Sequence, residues 1–300
     1  MTAAGAFIFA FPIGGIVGAK YGPRVAILIA SILQVINFLL IVFVTPESYV
    51  GSINTNGNKI KDKSFKSILS LIDWKESNPF GCLHRLFGSP GLLRVTSVIY
   101  TFASLARVSL DAQFPNYTNI RFGWTQAQSG PVLVLVGAML TIAPKYFIQR
   151  WGLYNSILSG LFTFAIGLIG AGLATTPIEF IAAIAIVSVG CVCLPAITAV
   201  IANCSPSKLR GAYLGSLGSI NELTGSIGFT LYAHILATFT HVDTAPFNCQ
   251  GFHFVTGGIL LIIAEIIALL PGGLLSISDK HDKAKVFSHK HVDTSLEVDM

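Results

Sequence analysis

The chain has 300 residues, 53% of them hydrophobic and only 11% charged, against roughly 25% charged in ordinary soluble domains. So few charges cannot clothe a soluble core of this size. The net charge of +5 does not mark a nucleic-acid binder either, because the basic residues lie between apolar runs rather than in one stripe.

A helix needs about 20 largely apolar residues to cross a bilayer core, where no water satisfies its backbone. About eight stretches meet that length: Thr2–Ala19, Val25–Val44, Leu92–Tyr117, Ala127–Ile148, Leu153–Ala174, Glu179–Ala202, Gly211–Thr240 and Gly251–Leu270. Runs of alternating polarity are absent, which argues against a membrane β-barrel. The expected fold class is all-α, a polytopic membrane helix bundle.

The first two spans are joined by the short turn from Lys20 to Arg24. No Lys or Arg precedes Lys20, so the first span lacks the basic start of a signal peptide. Thr45, Pro46, Glu47 and Ser48 stop the second span, and a Gly/Asn/Ser-rich linker follows. Within it, Phe65, Ile68, Leu69 and Ile72 make one apolar helix face beside Lys63 and Lys66. Such a face suits either an anionic membrane surface or the bundle's own helix ends. Six spans then follow with short connections. The expected organisation is two helices over 1–45, a loop over 46–91, a six-helix unit over 92–272 and a polar tail over 273–300.

Basic residues alternate in density between successive connections. One side collects Lys59, Lys61, Lys63, Lys66, Lys75, Arg85, Lys145, Arg150, Lys208, Arg210, Lys280, Lys283, Lys285 and Lys290; the other has Lys20, Arg24 and Arg121. This bias puts the long loop, the tail and both termini in the cytoplasm. Cys191 and Cys193 lie inside a span, Cys82 and Cys204 on the cytoplasmic side and Cys249 outside, so no disulfide framework is expected. Free cysteines pack as small hydrophobes, a better reading of Cys191 and Cys193 than a metal pair. No metal or cofactor is expected.

Several segments, in their order, resemble one family. Residues 10–18, with Pro12, Gly14, Gly15 and Gly18, are similar to the glycine-and-proline motif on the fifth helix of the drug:proton antiporter branch of the major facilitator superfamily, close to the tetracycline-resistance-like transporters. Asn37 to Leu40 with Thr45 to Ser48 resembles the end of that family's sixth helix, and Asn78 to Leu83 with Ser89 to Leu93 the approach to its seventh. Arg121 to Thr125 resembles the turn before the eighth, and Gly215 to Gly225 the eleventh. The resemblance implies helices 5–12 of a facilitator-type transporter, truncated at its N-terminus. It implies secondary active transport of a small organic solute, as proton-coupled export, with the solute site at the midplane between two halves. The missing first-half helices, or a second chain, would complete the site. A transport-incompetent membrane scaffold or regulator derived from such a transporter is the alternative.

Ionisable residues inside spans each cost about 2.5–3.5 kcal/mol at mid-membrane on insertion scales, so they carry the functional reading. Arg107 and Asp111 are spaced i, i+4 and can pair. They are either a proton-coupling site or a structural ion pair near the outer end of a span. Glu222, beside Asn221 and Thr224 and without a basic residue within a turn, is a proton-carrier candidate because hydrocarbon favours a protonated carboxyl. A structural hydrogen bond to a neighbouring helix is the other reading. His234 either shares protons with it or packs in the core. Glu265 has nothing polar nearby and reads as a helix-packing residue or a near-interface acid. Gly211, Gly215, Gly218, Gly225 and Gly228 form a small-residue face for close helix approach, and Pro12 with Gly14, Gly15 and Gly18 a kinked or hinged one. His281, His289 and His291 suggest a metal-binding tail but read better as a solvated one, since tail histidines without a fixed scaffold bind weakly. Asn116 to Thr118 matches a glycosylation acceptor but lies against the membrane. No phosphate loop and no catalytic residue set appears, so the sequence points to transport and not to an enzyme.

Overall fold

A computed structural model describes residues 13–43 except 19, 79–206 except 90, 209–240, and 245–274 except 247, 248 and 272. Among the described residues there is no strand. After a helical stretch over 13–18 and 20–21 come α1 (Pro23–Phe43), α2 (Pro79–Gly88), α3 (Leu92–Phe122), α4 (Gln126–Leu173), α5 (Pro177–Gly190), α6 (Cys193–Cys204), α7 (Arg210–Thr240) and α8 (Phe252–Leu269). The fold is an all-α membrane helix bundle. Pro12, the amphipathic segment at 65–72 and the tail histidines fall outside the described residues.

Local signals account for the turns at one end of the bundle. Gly123 ends α3 at φ 67°, a left-handed conformation that suits glycine. Its N–H bonds Asn119 O at 2.9 Å, and Trp124 N–H returns to Thr118 O at 3.2 Å, closing the last turn of the helix. Thr125 opens α4 with its N–H on Gln128 Oε1 at 2.9 Å. Thr176 and Glu179 open α5 reciprocally: Glu179 N–H donates to Thr176 Oγ1 at 3.3 Å, and Thr176 N–H to Glu179 Oε2 at 3.1 Å.

Straightened, the 48 residues of α4 would reach roughly 70 Å, more than twice the roughly 30 Å hydrocarbon core. Gly152, at φ 76° and ψ 174°, breaks it into two passes, matching the two spans expected over 127–148 and 153–174. The span expected over 179–202 is instead two helices, α5 and α6. Pro195 has no N–H to offer the Cys191 carbonyl, which takes Leu194 N–H at 3.3 Å in a tighter turn. A helix also forms at Pro79–Gly88, inside the segment expected to be loop, because Leu86 is fully buried against the bundle.

Four helical segments are long and apolar enough to cross a membrane by length and composition: Pro23–Ile41, Gln128–Leu173, Pro177–Cys204 and Phe252–Leu269. The 31-residue α3 and α7 are long enough but more polar. They pack against each other, and their buried hydroxyls bond their own helices. Thr96 Oγ1 reaches Leu92 O at 2.7 Å, Ser216 Oγ reaches Ala212 O at 2.8 Å and Thr224 Oγ1 reaches Ile220 O at 2.9 Å. Polar groups satisfied in this way are compatible with hydrocarbon.

The core is built by the second pass of α4 (Leu161, Phe164, Leu168), with Ile184 and Val187 of α5, Ile197 of α6, and Phe254 and Leu261 of α8. Glycine lets these helices touch. A Cβ on Gly190 would strike the Phe164 backbone, and one on Gly172 would lie 2.7 Å from Gly251 O. By contrast, α1 is apolar all round and buries none of its length.

Candidate functional site

Arg107 lies midway along α3, one turn before Asp111. Its Nε donates to Asp111 Oδ2 at 3.1 Å, with the two side chains 28% and 49% exposed. The pair lines a cavity of about 270 Å³. On the α3 side, Arg107, Leu110, Asp111 and Phe114 stand at i, i+3, i+4 and i+7, followed by Pro115. Facing them, Leu133, Val136, Gly137 and Leu140 repeat the same spacing on the first pass of α4. Two helical faces therefore enclose a mostly apolar space with a single ion pair in its wall. Pro115 adds to the polarity there, since it has no N–H to bond the Asp111 carbonyl one turn back.

The pair stands midway along the 31-residue α3, and both of its members face the cavity. The cavity wall on α4 was not singled out from sequence. Its signal was the apolar spacing of Leu133, Val136 and Leu140, which any buried helix face would share.

The other expected site residues lie elsewhere. Asn221, Glu222 and His234 are on the exposed face of α7 and do not line the cavity. Among the described residues the Glu222 carboxylate has no hydrogen-bond partner. Gly215, Gly218 and Gly225 have nothing within 4 Å of where a Cβ would stand; Gly228 does pack, against Val108. Gly14 is exposed and also without a neighbour, and Gly15 and Gly18 are half-buried. Glu265 keeps one buried oxygen, Oε2, without a partner. Asn116 and Thr118 lie inside α3, where the exposed Asn116 donates Nδ2–H to Gln113 Oε1 at 3.1 Å and the Thr118 hydroxyl is buried on Phe114 O at 2.9 Å.

One buried polar residue was not anticipated. His253 sits among rings, 5.2 Å from Tyr117 and 4.0 Å from Phe254 between centroids. Neither ring nitrogen has a protein partner. Its position at the start of an apolar span gave no warning of full burial. Among the described residues no group of three His, Cys, Asp or Glu could hold a metal ion.

Fold and cavity together define an integral membrane helix bundle with one charged pair in an apolar pocket. The chain is similar to Hippocampus abundant transcript-like protein 1 of Mus musculus, 23% identical over 286 residues, which cover 89% of this chain and 54% of that protein. The Homo sapiens protein of the same name is 22% identical over the same shares. Hippocampus abundant transcript 1 protein of Mus musculus is 21% identical over 254 residues, 83% of this chain and 49% of that protein. The chain spans about half the length of the curated relatives it matches. No family model matches it.

Proposed function

We propose that this chain is part of a facilitator-type secondary active transporter that exports a small organic solute in exchange for protons. The observation that carries the reading is the Arg107–Asp111 pair, midway along its helix and in the wall of an apolar cavity. A charged pair in a mostly apolar wall of a membrane protein is costly and is rarely kept without a task. The cavity has the character of a solute site, mostly apolar with few polar groups to orient the solute. The resemblance of the helix motifs to the drug:proton antiporters supports the same reading, as does likeness to the relatives over most of the chain.

In this proposal Asp111 takes up the coupling proton. Protonation weakens its bond to Arg107 and changes what the cavity can hold, so proton entry and solute exit alternate. Glu222 is a second proton carrier, placed on a face of α7 that first-half helices or a second chain would cover. Both termini face the cytoplasm.

The test is reconstitution into liposomes loaded with a pH-sensitive dye, challenged with a panel of amphipathic organic solutes. Transport predicts solute-dependent movement of protons that Asp111→Asn and Glu222→Gln each abolish. Solute flux with an unchanged lumenal pH would remove proton coupling. Absence of flux for every solute, with correctly folded protein, would leave the scaffold reading standing.

A further inference from the structure

The cavity also carries information about the kind of solute it takes, on the reading that it is the solute site. Among the described residues, one hydrogen bond joins Arg107 to Asp111, from Nε to Oδ2. A guanidinium has five N–H donors in a fork and a carboxylate has two acceptor oxygens. The remaining N–H groups of Arg107 and Oδ1 of Asp111 are therefore open to a ligand while the pair stays joined. Both residues line the same space, with the apolar side chains of Leu110, Phe114, Leu133 and Val136 around them.

Charge balance separates the solute classes. A simple organic cation would draw Asp111 towards itself and weaken the hold on Arg107, the more enclosed partner at 28% exposed. A simple anion would draw Arg107 away from Asp111. Either leaves one charge less well compensated in a mostly apolar wall, and stranding a charge costs more than the pair contributes. A solute bearing one charge of each sign satisfies both. Its carboxylate takes the free guanidinium N–H groups, where planar two-point bonding is available, and its ammonium takes Oδ1. A neutral polar solute would use neither charge.

We propose that the cavity takes an α-amino-acid-like zwitterion with an apolar side chain, its carboxylate on Arg107, its ammonium on Asp111 and its side chain between Phe114, Leu133 and Val136. An α-amino acid carries both charges on one carbon, as the adjacent Arg107 and Asp111 require. An apolar side chain gains from burial against those walls, at about 25 cal/mol per Å² of apolar surface removed from water.

The experiment compares three ligands of nearly the same shape on the 300-residue chain in nanodiscs. They are phenylalanine (zwitterion), its methyl ester (cation) and N-acetylphenylalanine (anion), with binding measured calorimetrically. The zwitterion is expected to bind at least about tenfold more tightly than either derivative, the scale of one charge-assisted hydrogen bond lost. Arg107→Gln should abolish the discrimination against the ester, and Asp111→Asn that against the acetyl derivative. If either variant fails to fold, Arg107→Asp with Asp111→Arg keeps a pair and should retain preference for the zwitterion. Val136→Trp, which fills the cavity, should abolish binding of all three.

Equal binding of the three ligands, still blocked by Val136→Trp, would overturn the zwitterion assignment and leave the cavity as the solute site. Tight phenylalanine binding unaffected by Val136→Trp would overturn the cavity reading itself. Binding of none of the three by folded chain would overturn the amino-acid class.

Discussion

Arg121, in the last turn of α3, donates Nη1 to Gln250 Oε1 at 2.9 Å, a bond between residues 129 apart in sequence that ties α3 to the entrance of α8. The same end of the bundle holds the aromatic group of Tyr117, Phe122, Phe180 and Phe254, with Tyr117 edge-on to Phe254 at 5.1 Å. Nearby, Gly172 and Gly251 bring α4 and α8 into backbone contact. This end is therefore closed by packing as well as by hydrogen bonds. Arg121 is half-buried, so water screens part of its interaction. A double-mutant cycle of Arg121→Ala and Gln250→Ala should give a coupling of about 1 kcal/mol in denaturation from nanodiscs. A coupling near zero would show that the bond contributes nothing in the membrane.

Glycine substitutions should separate packed helix faces from open ones. A Cβ on Gly190 would clash with the backbone of Phe164, which cannot move aside like a side-chain tip. Gly190→Ala should therefore cost about 1–3 kcal/mol, as overpacked sites do. Gly218, on α7, has open space around it. Gly218→Ala should leave stability unchanged or raise it by up to about 1 kcal/mol through helix propensity. Thermal denaturation of the two variants side by side checks both, and equal losses would place a neighbour against the Gly218 face.

This contrast shows what was legible in the sequence. Spans were readable because apolar length is a local property, and residues 25–44, 92–117 and 251–270 fall close to observed helices. The break at Gly152 was readable for the same reason, since a short polar turn separates two apolar runs. The division of α5 from α6 was not, because Cys191 and Val192 are as apolar as the helices around them. Glycine spacing on α7 marked a small-residue face, but spacing carries no record of what stands opposite. The contact of Gly190 with Phe164 depends on two helices meeting. The cavity was half legible: Arg107 and Asp111 stood out as charges in an apolar span, whereas the α4 wall had no chemical signature.

His253 offers a test of buried polarity. A neutral imidazole has one donor and one acceptor, and both its nitrogens are buried without a protein partner, beside the Tyr117 and Phe254 rings. An unsatisfied buried polar group costs about 1–3 kcal/mol. His253→Phe keeps a flat ring among aromatic neighbours and removes that cost, so it should stabilise the bundle by about 1 kcal/mol. His253→Ala, which leaves a void, should destabilise it by about 2 kcal/mol or more. Denaturation midpoints of the two variants decide the matter. A Phe variant less stable than the parent would show that the imidazole nitrogens are bonded in the membrane.

The ion pair at the cavity makes an asymmetric prediction. Removing one member strands the other, and the cost follows how enclosed the stranded charge is. Asp111→Asn strands Arg107, which is 28% exposed, and Arg107→Met strands Asp111, which is 49% exposed. The Asp111 variant should therefore lose more, about 1–2 kcal/mol against about 0.5–1, well below fully buried pairs because both side chains remain partly exposed. The double variant strands nothing and should recover to within about 0.5 kcal/mol of the parent. Stability of the four proteins in nanodiscs measures this directly. Recovery in the double variant combined with loss of solute binding would separate the pair's two roles, because the fold would then tolerate an apolar wall where the solute needs a charged one. Additive losses in the double variant would instead show that Arg107 and Asp111 act independently, each held by partners other than the other.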